Sequence, residues 1–188
     1  MILETIILIG AVAFIELLGL HGLPLLFSYG VIIVLCALVL LQNRKVIPPF
    51  IPTGSKTVET MIRLAEVVKG ELVYDLGCGD GRLLIAAAKK GARAIGYEYS
   101  LPTFLLAKFL TRKYRTITVR FGDFWSRDYR DADVICCYLL QQKMIDFEKM
   151  IWPQLKTGAR VISHSFTMPT VKIAKREGSA ILYVKDRL

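Results

Sequence analysis

The stretch Val73-Tyr74-Asp75-Leu76-Gly77-Cys78-Gly79-Asp80-Gly81-Arg82 decides the fold of this 188-residue chain. It begins inside an apolar run, Leu72 to Leu76, of the length of a short buried strand. Three glycines at alternate positions break that run, and RLLIAAAKK, closed by Gly91, then reads as a helix. Strand, glycine turn and helix in this order predict the opening of a βαβ unit. Several nucleotide-binding families share such a turn, so its spacing matters. The dinucleotide fingerprint G-x-G-x-x-G needs a glycine where Arg82 stands, and the Gly-Lys-Ser/Thr of a phosphate-binding P-loop is missing. What remains is D-x-G-x-G-x-G, with an acid, Asp75, two residues before the first glycine.

Outward from this stretch the chain alternates between strand and helix periods. Upstream, Val58, Met61, Ile62, Leu64, Ala65 and Val68 form a helical stripe over Thr57 to Val68 that ends at Gly70. Downstream, strands are predicted over Ala94–Tyr97, Ile117–Phe121, Val134–Tyr138 and Arg160–Ser165. A basic amphipathic helix is predicted over Leu101–Tyr114, with Ser100 as N-cap and Pro102 in its first turn, and another helix over Met144–Leu155. Val171–Arg176 and Ala180–Lys185, parted by Glu177-Gly178-Ser179, predict a closing hairpin. The fold class is therefore α/β, a doubly wound, mostly parallel sheet with a C-terminal antiparallel hairpin, and ligands of such sheets bind at the carboxyl ends of the strands.

A carboxylate at a strand end repels a pyrophosphate but favours a ligand carrying an ammonium and a sulfonium, while glycines let the backbone approach it closely. S-adenosylmethionine is such a ligand. DLGCGDG resembles motif I of the class I methyltransferases, a Rossmann-like fold, and the resemblance extends over Phe50 to Leu182. It implies that Asp75 lies near the methionyl amino group, that Gly77, Cys78, Gly79 and Gly81 line the cofactor, and that Asp80 holds the loop or the cofactor's polar groups. Two more acids follow successive strands. Glu98 ends the second strand, placed for the ribose hydroxyls, and Asp123 stands where the family's acid accepts a bond from the adenine amino group. Phe124 packs on the base or offers its backbone N–H in the same scheme.

The methyl acceptor is less legible. The Asn-Pro-Pro-Tyr/Phe sequence of many amide and adenine N-methyltransferases is absent after the fourth strand, where Asp133-Val134-Ile135-Cys136-Cys137-Tyr138-Leu139-Leu140 stands instead. No catechol-type metal triad and no metal-ligand spacing of Cys and His is found. PFIPT, IAAAKKGARAIGYE, GDFW, YLL and GARVISHSF are similar to segments of a narrower family of small protein-lysine methyltransferases, prokaryotic and, with an N-terminal membrane segment, mitochondrial. That resemblance implies a protein substrate, with membrane proteins among the family's targets. Methylation of lysine needs a neutral amine held in line with the sulfonium, its pKa lowered by desolvation. Tyr138, at the end of the fourth strand, is the first candidate for lining that amine; His164, a possible base, Phe50 and Trp125 follow. Methylation of a lipid headgroup or small membrane-soluble molecule, and a non-catalytic cofactor-binding role, stay open.

Composition divides the chain. Its residues are 54% hydrophobic with a mean hydropathy of +0.46, yet its formal charge is +9. Residues 1–42 hold no Lys or Arg and only Glu4 and Glu16; residues 43–188 hold all 25 basic residues and 14 acids, a net +11. Leu23–Leu41, nineteen uncharged residues, is long enough to span a bilayer core of about 30 Å as a helix. Ile2–Leu20 is nearly as apolar, with His21-Gly22-Leu23-Pro24 as a turn, so one or two passes are expected in a membrane anchor over 1–42. No signal-peptide pattern is present, so the anchor is expected to be retained. Asn43-Arg44-Lys45 places the basic side in the cytoplasm by the positive-inside rule. A proline-rich linker over 43–55, with Pro48, Pro49 and Pro52, leads to the methyltransferase domain over 56–188. Lys108, Arg112, Lys113, Arg115, Arg120, Arg127 and Arg130 form a basic face for anionic lipid, for an acidic protein or RNA, or simply for solvent; beside a membrane, no nucleic acid is needed to explain it. Oligomeric state is not encoded in any of these features.

Overall fold

The apolar runs of the sequence become the strands of one sheet. The computed structural model describes residues 29–34 and 51–186. Residues 29–34, within the second apolar segment, are helical; the rest of both apolar segments, and the linker as far as Phe50, lie outside the described residues. Among the described residues no helix is long and apolar enough to cross a membrane. The chain divides into two units, Met1–Ile51 and Pro52–Leu188, and the second holds the sheet.

That unit runs α1 (Ser55–Leu64), β1 (Leu72–Leu76), α2 (Arg82–Lys89), β2 (Arg93–Glu98), α3 (Leu101–Thr111), β3 (Ile117–Phe121), β4 (Val134–Cys137), α4 (Gln141–Met150), a 3₁₀ turn (Trp152–Gln154), β5 (Arg160–His164), β6 (Lys175–Glu177) and β7 (Ala180–Val184). The sheet order is β3-β2-β1-β4-β5-β7-β6. β1 to β5 pair in parallel, and β7 pairs antiparallel with both β5 and β6. The chain moves outward from β1 to β2 and β3, then reverses to β4. That reversal falls between β1 and β4, and such sheets take ligands at the carboxyl ends of the strands where the order reverses.

Strand residues alternate between two cores. Val73, Cys136 and Ile162 join residues of α1 and α2 on one face, while Leu72, Tyr74, Leu76 and Ile135 join Met144 and Phe147 of α4 on the other. No helix connects β3 to β4. Tyr129 fills that place: it is fully buried, packs edge-on against Tyr74 with ring centroids 5.1 Å apart, and donates its hydroxyl to the Phe124 carbonyl at 2.6 Å.

Element ends depart from the sequence expectation for physical reasons. α1 stops at Leu64 instead of reaching Val68, because Glu66 takes a left-handed conformation (φ 51°). Glu66 N–H then bonds Arg63 O, Val67 N–H bonds Ile62 O, and Val67 and Ile62 are both buried, which makes a Schellman motif without a glycine. Arg160 donates to the carbonyls of Ala65 and Glu66 and holds the turn from β5. The predicted Met144–Leu155 helix begins earlier, at Gln141, and ends at Met150, with Pro153 in the 3₁₀ turn beyond it. The closing hairpin is tighter than expected: Glu177 pairs with Ala180 across Gly178-Ser179, and the outer strand keeps only Lys175, Arg176 and Glu177, all exposed.

α3 shows the largest difference. Its buried residues are Thr103, Ala107 and Thr111, while Leu101, Leu105 and Phe109 point outward among the basic residues. The small buried side is explained by Gly81, whose absent Cβ leaves room for Thr111 Cγ2; a Cβ there would lie 2.8 Å from it. Ser100 precedes the helix but makes no side-chain cap bond to its backbone; its hydroxyl accepts from Thr103 Oγ1 at 3.0 Å.

Candidate active site

The loop between β1 and α2 is shaped by its glycines. Gly77 and Gly79 have φ of 80° and 56°, conformations that side chains other than glycine rarely adopt. At Gly77 nothing lies within 4 Å of where a Cβ would stand, so the backbone borders open space. The N–H groups of Gly77 and Cys78 both donate to the carbonyl of Tyr97 in β2, at 3.0 and 2.9 Å, which ties the loop to the neighbouring strand. Cys78 is buried and its thiol is pushed far up by burial, so it is a packing residue with no thiolate character.

Gly96 makes this close approach possible, and sequence reading missed it. It faces Asp75 across the β1–β2 ladder, and a Cβ there would meet Leu84 Cδ1 at 2.6 Å and Cys78 Cβ and Sγ at 2.7 Å. A glycine inside a strand is the one local signal that pointed to such an approach.

Three acids converge on the loop. Asp75 is 3% exposed and forms no ion pair among the described residues. Burial first, then the charges of Glu98 and Asp80, push its pKa up to about 8. Glu98, also buried, accepts from Gly79 N–H at 3.0 Å and Ser100 N–H at 2.8 Å; burial raises its pKa while these backbone bonds oppose the rise. Asp80 is committed elsewhere. Both its oxygens accept from Arg82, at distances from 2.6 to 3.1 Å, and Arg82 Nη1 donates to Thr53 O at 2.5 Å. Asp80 therefore fastens the loop to residues preceding α1, and Arg82 is a second residue the sequence reading did not single out. Gly81, with φ 83°, is the N-cap of α2 and packs on α3.

Beyond β3, Asp123 Oδ1 accepts from Trp125 N–H at 2.9 Å, and the rings of Phe124 and Trp125 lie 4.7 Å apart. Phe124 is held from below by Tyr129. At the ends of β4 and β5, Tyr138 meets His164 edge-on with centroids 4.2 Å apart and stacks toward Phe166 at 6.3 Å. His164 Nδ1 is enclosed without a hydrogen-bond partner among the described residues, and burial lowers its pKa, so the imidazole is neutral near pH 7. Ser165 turns the chain there with φ 69° and brings Phe166 alongside. Phe166 too was missed, because only that turn brings it to Tyr138. Phe50 lies outside the described residues.

A buried acid without a cation among the described residues, open space beside Gly77, and acids at the end of β2 and after β3 fit a ligand that bears a positive charge, a ribose and a base. No group of metal-ligating side chains is found among the described residues.

The family described as ANTKMT methyltransferase domain matches residues 75–175. A human lysine N-methyltransferase named for a component of ATP synthase is 34% identical over 131 residues, which are 67% of this chain and 55% of that protein. A protein-lysine N-methyltransferase of Saccharolobus islandicus is 36% identical over 124 residues, 63% of this chain and 76% of that one. The chain thus spans little more than half the length of its animal relatives. An RNA methyltransferase from Salinibacter ruber, solved with S-adenosyl-L-homocysteine, superposes with a TM-score of 0.68 at 28% identity, covering 73% of this chain and 96% of that one. The sheet order, the glycine loop and these matches agree, and the chain belongs to the ANTKMT methyltransferase domain family, with a class I methyltransferase fold.

Proposed function

We propose that this protein methylates lysine side chains of a protein substrate, using S-adenosylmethionine. The observation that carries the cofactor is Asp75, a buried acid with no cation partner among the described residues, beside a glycine loop whose backbone borders open space. Asp75 would hold the methionyl ammonium, Glu98 the ribose hydroxyls, and Asp123 with Phe124 the adenine. When bound, the cofactor supplies a methyl on a sulfonium: the lysine nitrogen lone pair forms the new N–C bond, the C–S bond breaks, and its electron pair stays on sulfur. The chain's own part is to make that nitrogen neutral and to aim it. Tyr138, His164 and Phe166 form an aromatic wall at the ends of β4 and β5, which desolvates the amine and disfavours its protonated form. Neutral His164 can take the proton that the lysine ammonium must lose before attack. The lysine acceptor is supported by the named activities of the human and Saccharolobus relatives.

The N-terminal apolar segments would anchor the enzyme in a membrane, in one or two passes, with the basic unit on the cytoplasmic side; the uncharged Leu23–Leu41 followed by Arg44 and Lys45 supports this. A membrane protein is then the substrate class that the site meets most often. Incubating the full chain with radiolabelled cofactor and membranes, then separating protein, lipid and RNA, tests the acceptor. Label recovered as methyl-lysine in protein is expected; label only in lipid or only in RNA would refute the lysine reading.

A further inference from the structure

We propose that the outward face of α3 is a second membrane contact, one that lies on anionic lipid and is built into the methyltransferase unit itself. α3 is inverted relative to an ordinary surface helix, with Thr103, Ala107 and Thr111 inside and Leu101, Leu105 and Phe109 outside. Leu101, Leu105 and Phe109, spaced by four, are 40%, 57% and 59% exposed, on the side opposite the buried Thr103, Ala107 and Thr111. An isolated exposed leucine needs no explanation, but three in a row on one helix face do. The stripe widens toward the sheet edge. Phe121, at the end of β3 and 41% exposed, lies 5.5 Å from Phe104, ring to ring, and 6.5 Å from Tyr99.

Charge names the occupant. Between Leu101 and Phe121 there are five basic residues and no acid. Lys108 and Arg112 fall on the same helix face as the apolar stripe, and the Arg112 guanidinium sits 3.8 Å over the Phe109 ring, a cation–π contact that keeps positive charge beside the apolar side chains. Lys108, Arg112 and Arg115 line an open cleft of about 370 Å³ between the end of α3 and β3, which gathers their positive charge on one side of the helix. Nucleic acid would satisfy these cations but would leave Leu101 and Leu105 against a polar backbone. A lipid surface satisfies both, with headgroups for the cations and the acyl boundary for the leucines and Phe109.

The inference stands whether or not the N-terminal segments cross the bilayer, and its test reads α3 alone. A nitroxide on Leu105→Cys, in the full chain carrying Cys36→Ser, is mixed with vesicles of phosphatidylcholine or of 7:3 phosphatidylcholine:phosphatidylserine, and its access to aqueous nickel chelate is measured. The control label is Lys149→Cys on α4. Expected is a several-fold loss of access at position 105 on the anionic vesicles alone, with no change at 149. Each cation near such a surface is worth about fivefold in partitioning, so Lys108→Glu with Arg112→Glu should weaken partitioning onto the anionic vesicles on the order of 25-fold or more and return access at position 105 to its value on phosphatidylcholine. Both positions are exposed, and circular dichroism verifies the fold of the variant. Equal access at 105 on both vesicles overturns the proposal, as does protection by an RNA oligomer where vesicles give none. A chain whose N-terminal segments insert while position 105 stays wet refutes this inference and leaves the anchor intact.

Discussion

Replacing Asp75 with Asn should stabilise the cofactor-free protein and cripple cofactor binding at once. In the folded chain the Asp75 pKa rises from 3.8 to about 8, so at neutral pH folding makes this carboxyl take up a proton that the unfolded chain has lost. The group then contributes fully to stability only below pH 3.8, and that contribution drains away as the pH rises to 8. At pH 7 the interval is about 3 pH units at 1.36 kcal/mol each, so Asp75→Asn relieves up to about 4 kcal/mol, or roughly 8–16 °C in Tm for a chain of this size. The same substitution removes the partner of a buried ammonium, a loss of about 3–5 kcal/mol or two to nearly four orders of magnitude in affinity. The wild-type protein carries a matching signature. With a pKa of about 8, Asp75 is ionised in about one molecule in eleven at pH 7 and about one in a hundred at pH 6, while an α-amino group of pKa roughly 7.7–8.0 stays protonated over this range. Affinity should fall about ninefold from pH 7 to pH 6, with close to one proton released per cofactor bound at pH 7. Isothermal titration calorimetry in two buffers of different ionisation enthalpy reads both quantities. Affinity that is flat between pH 6 and 7, or an Asn variant that binds as well as wild type, would refute the assignment of Asp75 to the ammonium.

Gly96→Ala should cost at least 1–3 kcal/mol in urea unfolding, since its methyl would press on Leu84 and Cys78, and it should weaken cofactor binding by shifting the loop that Cys78 anchors; unchanged stability would show that the strand and loop part freely. Tyr129→Phe leaves the Phe124 carbonyl without its donor, so a loss of about 1–2 kcal/mol is expected by denaturation, together with weaker binding on the adenine side. His164, its pKa lowered by burial, contributes stability that is full above about pH 6.5 and lost as the pH falls through its folded value; His164→Gln should flatten the acid limb of the stability profile, and an unaltered limb would exclude it as the source. Tyr138→Ala should raise KM for the protein acceptor while leaving cofactor affinity within about twofold, because only the aromatic wall is breached; equal losses for both ligands would tell against that placement.

Strands and acids were legible because each is a local pattern. Leu72 to Leu76 reads as a buried strand from consecutive residues, and Asp75, Glu98 and Asp123 stand at or just past strand ends that hydropathy locates, where the resemblance to class I methyltransferases singles them out. What escaped sequence reading depends on partners distant along the chain. Gly96 is required by Cys78 and Leu84, Arg82 acts through Thr53, and Tyr129 replaces a helix by reaching Tyr74 and Tyr97. α1 ends early on a left-handed Glu66, a conformation that Arg160 of β5 helps to hold and that the glutamate itself does not announce. The inversion of α3 is of the same kind: its period is helical from either side, and only the proximity of Gly81 to Thr111 decides which side is inward.

The two rims of the sheet have opposite fates in a concentrated solution. β6 is three residues long and wholly charged, Lys175-Arg176-Glu177, with Glu177 held by Arg63 at 2.5 Å. Any foreign strand that docked along it would find almost no backbone to pair with and would have to strip water from three ions, so this rim resists fibril growth. β3, at the far rim, spans five residues and ends on the exposed Phe121, so of the two rims it is the one that offers a foreign strand a backbone to pair with.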